Sequence, residues 1–391
     1  MAWYNKLIEK LNPAQKYISE DERSSITDAE LTFIQAFDKI ETVNRGTNLI
    51  VHAASSMDYD IKNVVIDGVV PGMRQKSLEK LLNFRPNPYQ SAQDFRKNIF
   101  TDYILDGNAF IYFDGAFLYH LPAIKVEIVS DPKTLVAKYV YDSRTDFLPN
   151  EVIHFKDLSN DSIYRGSSRL KSAVDTIQSL YRMQSFQKSF FDNGAVPGIV
   201  FTTDNTLGQA AKERTIQYWM QRYNPKTGAR RPMIVDSGLK PVPLSSTNFK
   251  DMDFDVSIER HNIKILNALG VPEVLFDGGN NANISPNLRL FYLETVLPIV
   301  RSYTSAIERF FGYDIEAITN NVSALQPELK EVSGYLTSLV NGGIITPNEA
   351  RIDLRYSKLD GLDEIRIPVN IAGSAGDPSQ GGAPKKPKPQ Q

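Results

Sequence analysis

Residues 168–198 read SRLKSAVDTIQSLYRMQSFQKSFFDNGAVPG. Within them Leu170, Ala173, Val174, Ile177, Leu180 and Tyr181 recur at helical spacing and make one apolar stripe. Asn193-Gly194 stops the pattern, and Pro197 confirms the stop. A long helix is therefore expected over 168–191. The next fifty residues switch to short elements: strand 199–203, helix 207–223, strand 232–236, a Ser237-Gly238 turn and strand 240–244. A second long helix over 253–269 then ends at Gly270-Val271-Pro272. Two long helices thus enclose a module of about 50 residues, a size whose own core is marginal. Such a module is best stabilised by copies of itself.

Outward from this hairpin, the preceding region alternates helices and short strands. Thr27-Asp28-Ala29-Glu30 has the capping-box pattern, and a helix is expected over 28–57 with a break near Gly46. A strand and turn come next over 59–70. A short helix over 77–82 runs into Arg85-Pro86-Asn87-Pro88, which cannot continue it. Helix resumes over 91–105, where Phe95, Ile99, Tyr103 and Ile104 keep near-helical spacing. Strands 109–113 and 116–121 flank the hairpin signal Asp114-Gly115. Further strands are expected at 125–130, 137–141 and 152–155, so residues 58–156 form an α+β region with a mostly antiparallel sheet.

After the second long helix, residues 276–286 (FDGGNNANISP) form a polar loop rich in glycine and asparagine. A third helix is expected over 287–311, kinked at Pro298. Another covers 327–341. Thr346-Pro347-Asn348-Glu349 starts one more, with Thr346 as N-cap, Pro347 at N1 and Glu349 at N3. From 373 onward 8 of 19 residues are Gly or Pro, and that tail is expected to be disordered.

Composition narrows the chemistry. The 391 residues carry 44 Lys plus Arg against 46 Asp plus Glu, a net charge of −2, so the chain does not coat nucleic acid along its whole surface. Cysteine is absent, which excludes disulfide frameworks, thiolate metal sites and cysteine nucleophiles. No apolar run of membrane-spanning length occurs, and the N-terminus lacks the pattern of a secretory signal.

Catalytic signatures are equally sparse. There is no Walker loop, and Gly278-Gly279 lacks the following lysine. His52, His120, His154 and His261 show no metal-ligand spacing and read as surface or strand-end residues. Asp251, Asp253, Asp255 and Glu259 resemble a calcium loop only superficially: Val256 stands where glycine is required and Asn262 where glutamate is. They read better as acids at a helix N-terminus. No cofactor or metal is expected. The clearest electrostatic feature is residues 198–250, with eight basic and three acidic residues. The densest run is the loop that holds Lys226, Arg230 and Arg231. It reads as a solvated basic loop or as a docking face for nucleic acid or an acidic partner.

Several strings together resemble the portal proteins of tailed bacteriophages, in the branch typified by phage Hong Kong 97. They are Arg85-Pro86-Asn87-Pro88, Asp106-Gly107-Asn108-Ala109-Phe110, Val152-Ile153-His154-Phe155 and Tyr164-Arg165-Gly166-Ser167-Ser168-Arg169-Leu170. Phe190-Phe191-Asp192-Asn193-Gly194-Ala195-Val196-Pro197-Gly198, Leu269-Gly270-Val271-Pro272, Glu294-Thr295-Val296-Leu297-Pro298 and Gly343-Ile344-Ile345-Thr346-Pro347-Asn348-Glu349-Ala350-Arg351 complete the set. Each is weak alone. Their order and spacing over 78–355 make the match specific.

The resemblance implies an α+β portal fold assembled as a ring, usually of twelve subunits, at one capsid vertex. It implies an N-terminal arm (1–26), a wing (27–167), stem helices (168–195 and 251–275) and a clip (196–250). A tunnel loop (276–286), a wing-side helix (287–322), a crown (323–372) and the disordered tail (373–391) complete the order. Implied partners are further copies of the chain, double-stranded DNA in the channel, the terminase large subunit, a head-completion or neck protein and the major capsid protein, with no membrane. The implied location is the virion, after assembly in the host cytoplasm. The channel contacts would come from Gly278, Gly279, Asn280, Asn281, Asn283 and Ser285. This stretch has no Lys or Arg and can touch a moving duplex without anchoring it. Arg222, Lys226, Arg230 and Arg231 would form the clip docking surface. The chain would carry no catalysis of its own. The competing expectation is a packaging nuclease or ATPase, disfavoured by the missing Walker loop and the lack of an acidic metal cluster.

Overall fold

The computed structural model describes residues 16–17, 31–65, 68–70, 72–192, 199–202, 206, 208–222, 240–243, 254–277, 281–326, 329–354 and 356–365. The chain divides into two compact units, Met1–Asn321 and Val322–Gln391.

The first unit opens with β1 (Lys16–Tyr17), then α1 (Phe33–Lys39) and α2 (Glu41–Ser55). Thr32 caps α1 in a reciprocal box with Gln35; the expected box at 27–30 lies outside the described residues. The helix break falls at Ile40, whose extended backbone (φ −110°, ψ 111°) ends α1 and precedes α2. It does not fall at Gly46, which sits inside α2. Packing is the reason: a Cβ on Gly46 would lie 2.7 Å from the Leu269 side chain.

Next in the chain are strand β2 (Tyr59–Val65), α3 (Gln75–Asn83) and α4 (Ala92–Leu105). Ser91 caps α4 by accepting from the Asp94 N–H. Then come β3 (Asn108–Phe113), β4 (Leu118–Leu121), β5 (Val126–Asp131), β6 (Leu135–Tyr141), β7 (Thr145–Phe147) and β8 (Val152–Lys156). All pairings are antiparallel, but the expected single sheet is split. One sheet has the order β4-β3-β8 and another β1-β5-β6-β7. The expectations over 58–156 omitted β7.

Beyond a 3-10 turn at Arg169–Ala173 runs α5 (Val174–Asp192), then β9 (Ile199–Thr202), α6 (Gln209–Arg222), β10 (Lys240–Pro243) and α7 (Phe254–Leu269). Helices α5 and α7 pack together, and β9 pairs with β10 between them in sequence. Helices thus stand where the spacing over 168–191 and 253–269 predicts them, with the start of the first taken by the 3-10 turn; the strand expected at 232–236 lies outside the described residues. Helices α8 (Val274–Asp277) and α9 (Asn281–Phe291) come next. A π-helical turn (Tyr292–Val296) leads into α10 (Leu297–Phe311), and β11 (Tyr313–Ala317) closes the unit by pairing with β2.

The regular helical pattern is interrupted at that π turn, just before the proline. Pro298 has no N–H, and its ring would strike the carbonyl of residue 294 in a regular helix. The wider turn, in which the Leu297 N–H reaches the Tyr292 carbonyl, accommodates both defects. Helix α10 then buries Ile299, Val300, Tyr303, Ile307, Phe310 and Phe311. Its aromatic side chains meet the β4-β3-β8 sheet and α4: Tyr303 contacts Phe100 and Phe155, and Phe311 lies edge-on to Phe113 (5.1 Å). Each fully buried Phe or Ile here contributes about 1.5–3 kcal/mol.

The second unit contains α11 (Leu329–Asn341) and α12 (Pro347–Asp353). Thr346 and Glu349 form the expected capping box with Pro347 in the first turn. Asn348 is buried. Its side chain donates to the Leu359 carbonyl (2.8 Å) and to Asp363 (2.9 Å), so it folds the following segment back onto α12. The tail from 373 lies outside the described residues.

Candidate nucleic-acid interface

The chain enters α5 through a buried junction built from two of the sequence strings. Arg165 pairs with Asp106 (2.6 Å) and donates to the carbonyls of Val126 (2.7 Å) and Ala123 (3.2 Å). Asn108 accepts from the Gly166 N–H (2.7 Å) and donates to the Gly166 carbonyl (3.1 Å). Gly107 has φ +81°, and a Cβ there would lie 2.3 Å from the Ser167 backbone. Ser168 closes the junction by donating to the Ile104 carbonyl and capping the 3-10 turn. These residues fix the direction in which the 3-10 turn and α5 leave the sheet. They carry no substrate chemistry.

His154 belongs to the same junction. Its ring stacks on Phe110 (4.3 Å) and meets Asn108 Oδ1 (3.1 Å). Loss of water around the ring, then the Arg165, Lys156 and Arg309 charges, hold its pKa well below 6.5. It is a neutral, packed histidine. His120 instead faces Asp102 (2.8 Å), which also accepts from the Ala123 N–H (2.7 Å). No group of metal-ligating side chains occurs among the described residues.

At the far end of α7, Gly270 (φ +74°) turns the chain, and the Val271 N–H returns to the Leu266 carbonyl (2.9 Å). Thr295, in the π turn, donates to the Gly270 carbonyl (2.6 Å). A side chain at Gly270 would collide with Thr295 Oγ1 at 2.6 Å. The Leu-Gly-Val-Pro and Glu-Thr-Val-Leu-Pro strings are therefore two halves of one contact. Beside it lies a cavity of about 430 Å³ edged by Arg169, Asn267, Asn287 and Glu294.

The expected polar loop over 276–286 is not irregular throughout. Phe276 and Asp277 end α8, and Asn281, Asn283 and Ser285 lie in α9; Gly278, Gly279 and Asn280 lie outside the described residues. Glycine and asparagine content hid a helix that runs on into the π turn. Phe276 is held from behind by the Arg45 guanidinium, 4.5 Å from its ring centre. Of the clip residues, Arg222 is the last residue of α6, while Lys226, Arg230 and Arg231 lie outside the described residues. In the β9–β10 ribbon the register pairs Pro241 with Phe201 and Pro243 with Ile199. Bonded and non-bonded pairs alternate, so both prolines occupy the non-bonded positions.

A family model described as phage portal protein matches residues 41–353. The chain belongs to the phage portal protein family. It is 40% identical to the portal protein of Escherichia phage T5 over 98% of both chains. It is 22% identical to the portal protein of Enterobacteria phage HK97, over 78% of this chain and 77% of that one. Its fold matches a chain in the neck of a native gene transfer agent particle computed with C12 symmetry, with a TM-score of 0.62 and 19% identity, over 90% of this chain and 99% of that one. As a portal protein the chain is a structural part of the phage particle. The packaging-enzyme alternative finds no support among these relatives. No helix among the described residues is long and apolar enough to cross a membrane.

Proposed function

We propose that twelve copies of this chain close into a ring at one capsid vertex and form the channel through which double-stranded DNA is packaged and ejected. The observation that carries this is the 40% identity to the phage T5 portal protein over nearly the full length of both chains. Twelvefold symmetry is suggested by the gene transfer agent neck. In this reading α5 and α7 form the stem. Gly278, Gly279 and Asn280, with Asn281, Asn283 and Ser285 at the start of α9, face the channel. Their lack of positive charge keeps the wall from gripping phosphate, since every cation would be multiplied by the subunit number. Arg222, Lys226, Arg230 and Arg231 on the clip would receive the terminase large subunit and later the neck protein. The wing would meet the major capsid protein, during assembly in the host cytoplasm.

Native mass spectrometry with negative-stain imaging of the purified chain tests this. Twelve chains of 44.0 kDa give a ring of roughly 530 kDa. A protein that remains a single subunit at micromolar concentration and in isolated particles refutes it.

A further inference from the structure

Two loops flank the β4-β3-β8 sheet, and each holds two large apolar side chains in solvent on a tightly tied backbone. In the loop 84–90, Phe84 is 69% and Tyr89 86% exposed. Beneath them Asn87 is buried; it donates to the Leu118 carbonyl and to Gln90 (both 3.0 Å) and accepts from the Tyr89 N–H (3.0 Å). The Leu118 N–H returns to the Pro86 carbonyl (2.9 Å). In the loop 157–163, Leu158 is 82% and Ile163 66% exposed. There Ser159 Oγ accepts from the Asp161 and Ser162 N–H groups, Lys156 donates to the Ile163 carbonyl, and Arg169 pairs with Asp157 (2.8 Å). Single exposed apolar residues are ordinary. Paired ones on loops already ordered are what a docking surface needs, because little entropy remains to be lost on contact.

Their placement points to the partner. The first loop fastens to Leu118, which pairs with Phe113 at one end of β3 on the β4 edge. The second leaves Lys156, which pairs with Asn108 at the other end of β3 on the β8 edge. Two strand spacings and five residues separate these corners, a diagonal of about 20 Å. A cyclic ring of identical subunits needs two different, mutually complementary surfaces on each subunit, and these loops lie on opposite edges of one rigid sheet. Charge agrees. Arg85 sits in the aromatic loop with its guanidinium on only a long bond to the Pro88 carbonyl (3.5 Å). Asp161 in the aliphatic loop pairs with Lys171 of its own subunit and still keeps its side chain 71% exposed, open to a second cation.

We infer that the aromatic loop of one subunit docks on the aliphatic loop of the next, with Arg85 facing Asp161 across the contact. This rests on the ring reading above, and the test separates the two. Because the chain has no cysteine, Tyr89→Cys and Leu158→Cys introduce unique thiols. Assembled rings of the double variant, treated with a short bismaleimide, should give a denaturing-gel ladder from dimer upward, while each single variant stays monomeric on the gel. Native mass of the same samples reports whether rings are present. Rings without a ladder, or a ladder from either single variant, overturn the contact and leave the ring standing. Absence of rings from the unaltered chain overturns both. Should the double variant alone fail to assemble, charge reversal decides: Arg85→Glu or Asp161→Arg should each lower ring yield several-fold, and the pair together should restore it. Yields that do not move, or no restoration, refute the contact.

Discussion

Asp106→Ala, Arg165→Met and their combination test the junction that aims the stem. In the folded chain both side chains are nearly free of water and lie 2.6 Å apart. Removing Asp106 leaves a buried guanidinium with only the Val126 and Ala123 carbonyls as acceptors. Breaking a buried pair in this way costs about 3–5 kcal/mol, most of it from the charge left behind. Arg165→Met leaves a buried carboxylate and removes the donor to two carbonyls, so its cost is at least as large. In the double variant no charge is stranded. What remains is the loss of the two carbonyl hydrogen bonds and of the one that Asn108 Nδ2 donates to Asp106 (2.7 Å), about 1–3 kcal/mol each at most. The two single losses should therefore sum to more than the double loss, with a coupling of about 0.5–3 kcal/mol. Urea unfolding of the unassembled chain, tracked by circular dichroism with Trp fluorescence as a second probe, measures it. Additive losses would show that the pair is hydrated or loosely held, and that hydrogen bonds alone orient the stem.

Two further outcomes concern the same core. Tyr303 has a buried hydroxyl with no hydrogen-bond partner among the described residues, and burial pushes its pKa up; Tyr303→Phe should raise stability by about 1 kcal/mol in the same urea titration, because it removes a stranded polar group. His154 accepts a proton near pH 6.5 only when unfolded, so stability should be full above that pH and decline on acidification towards the lower folded value, by up to about 1.4 kcal/mol per pH unit. His154→Gln should flatten that slope between pH 6.5 and 5, and an unchanged slope would assign the effect to other groups.

Much of this architecture is legible in the sequence because its signals are local. The stripe from Leu170 to Tyr181, the Thr346 capping box and the Asp114-Gly115 turn each depend on residues within one or two turns. Two of the misreadings are long-range, while β7 and the helix at Asn281–Phe291 escape the sequence reading for local reasons. Gly46 punctuates nothing, since Leu269, more than two hundred positions away, explains it. Strand β11 exists because β2 offers it a partner across the unit. The helix at Asn281–Phe291 is supported by its continuation into the π turn. The strings that carry the family resemblance mark contacts whose reason the strings do not reveal. Gly107, Asn108, Arg165 and Gly166 touch one another, as do Gly270 and Thr295, and only folding shows that they are joints.

The prolines at 241 and 243 have an effect before any partner arrives. On the side of β10 turned away from β9, which has no partner strand among the described residues, they present oxygen and no hydrogen, so a stray strand that approached there would find half of its carbonyls unanswered. The ribbon is thereby shielded from runaway stacking into fibres while newly made subunits are still scattered and dilute.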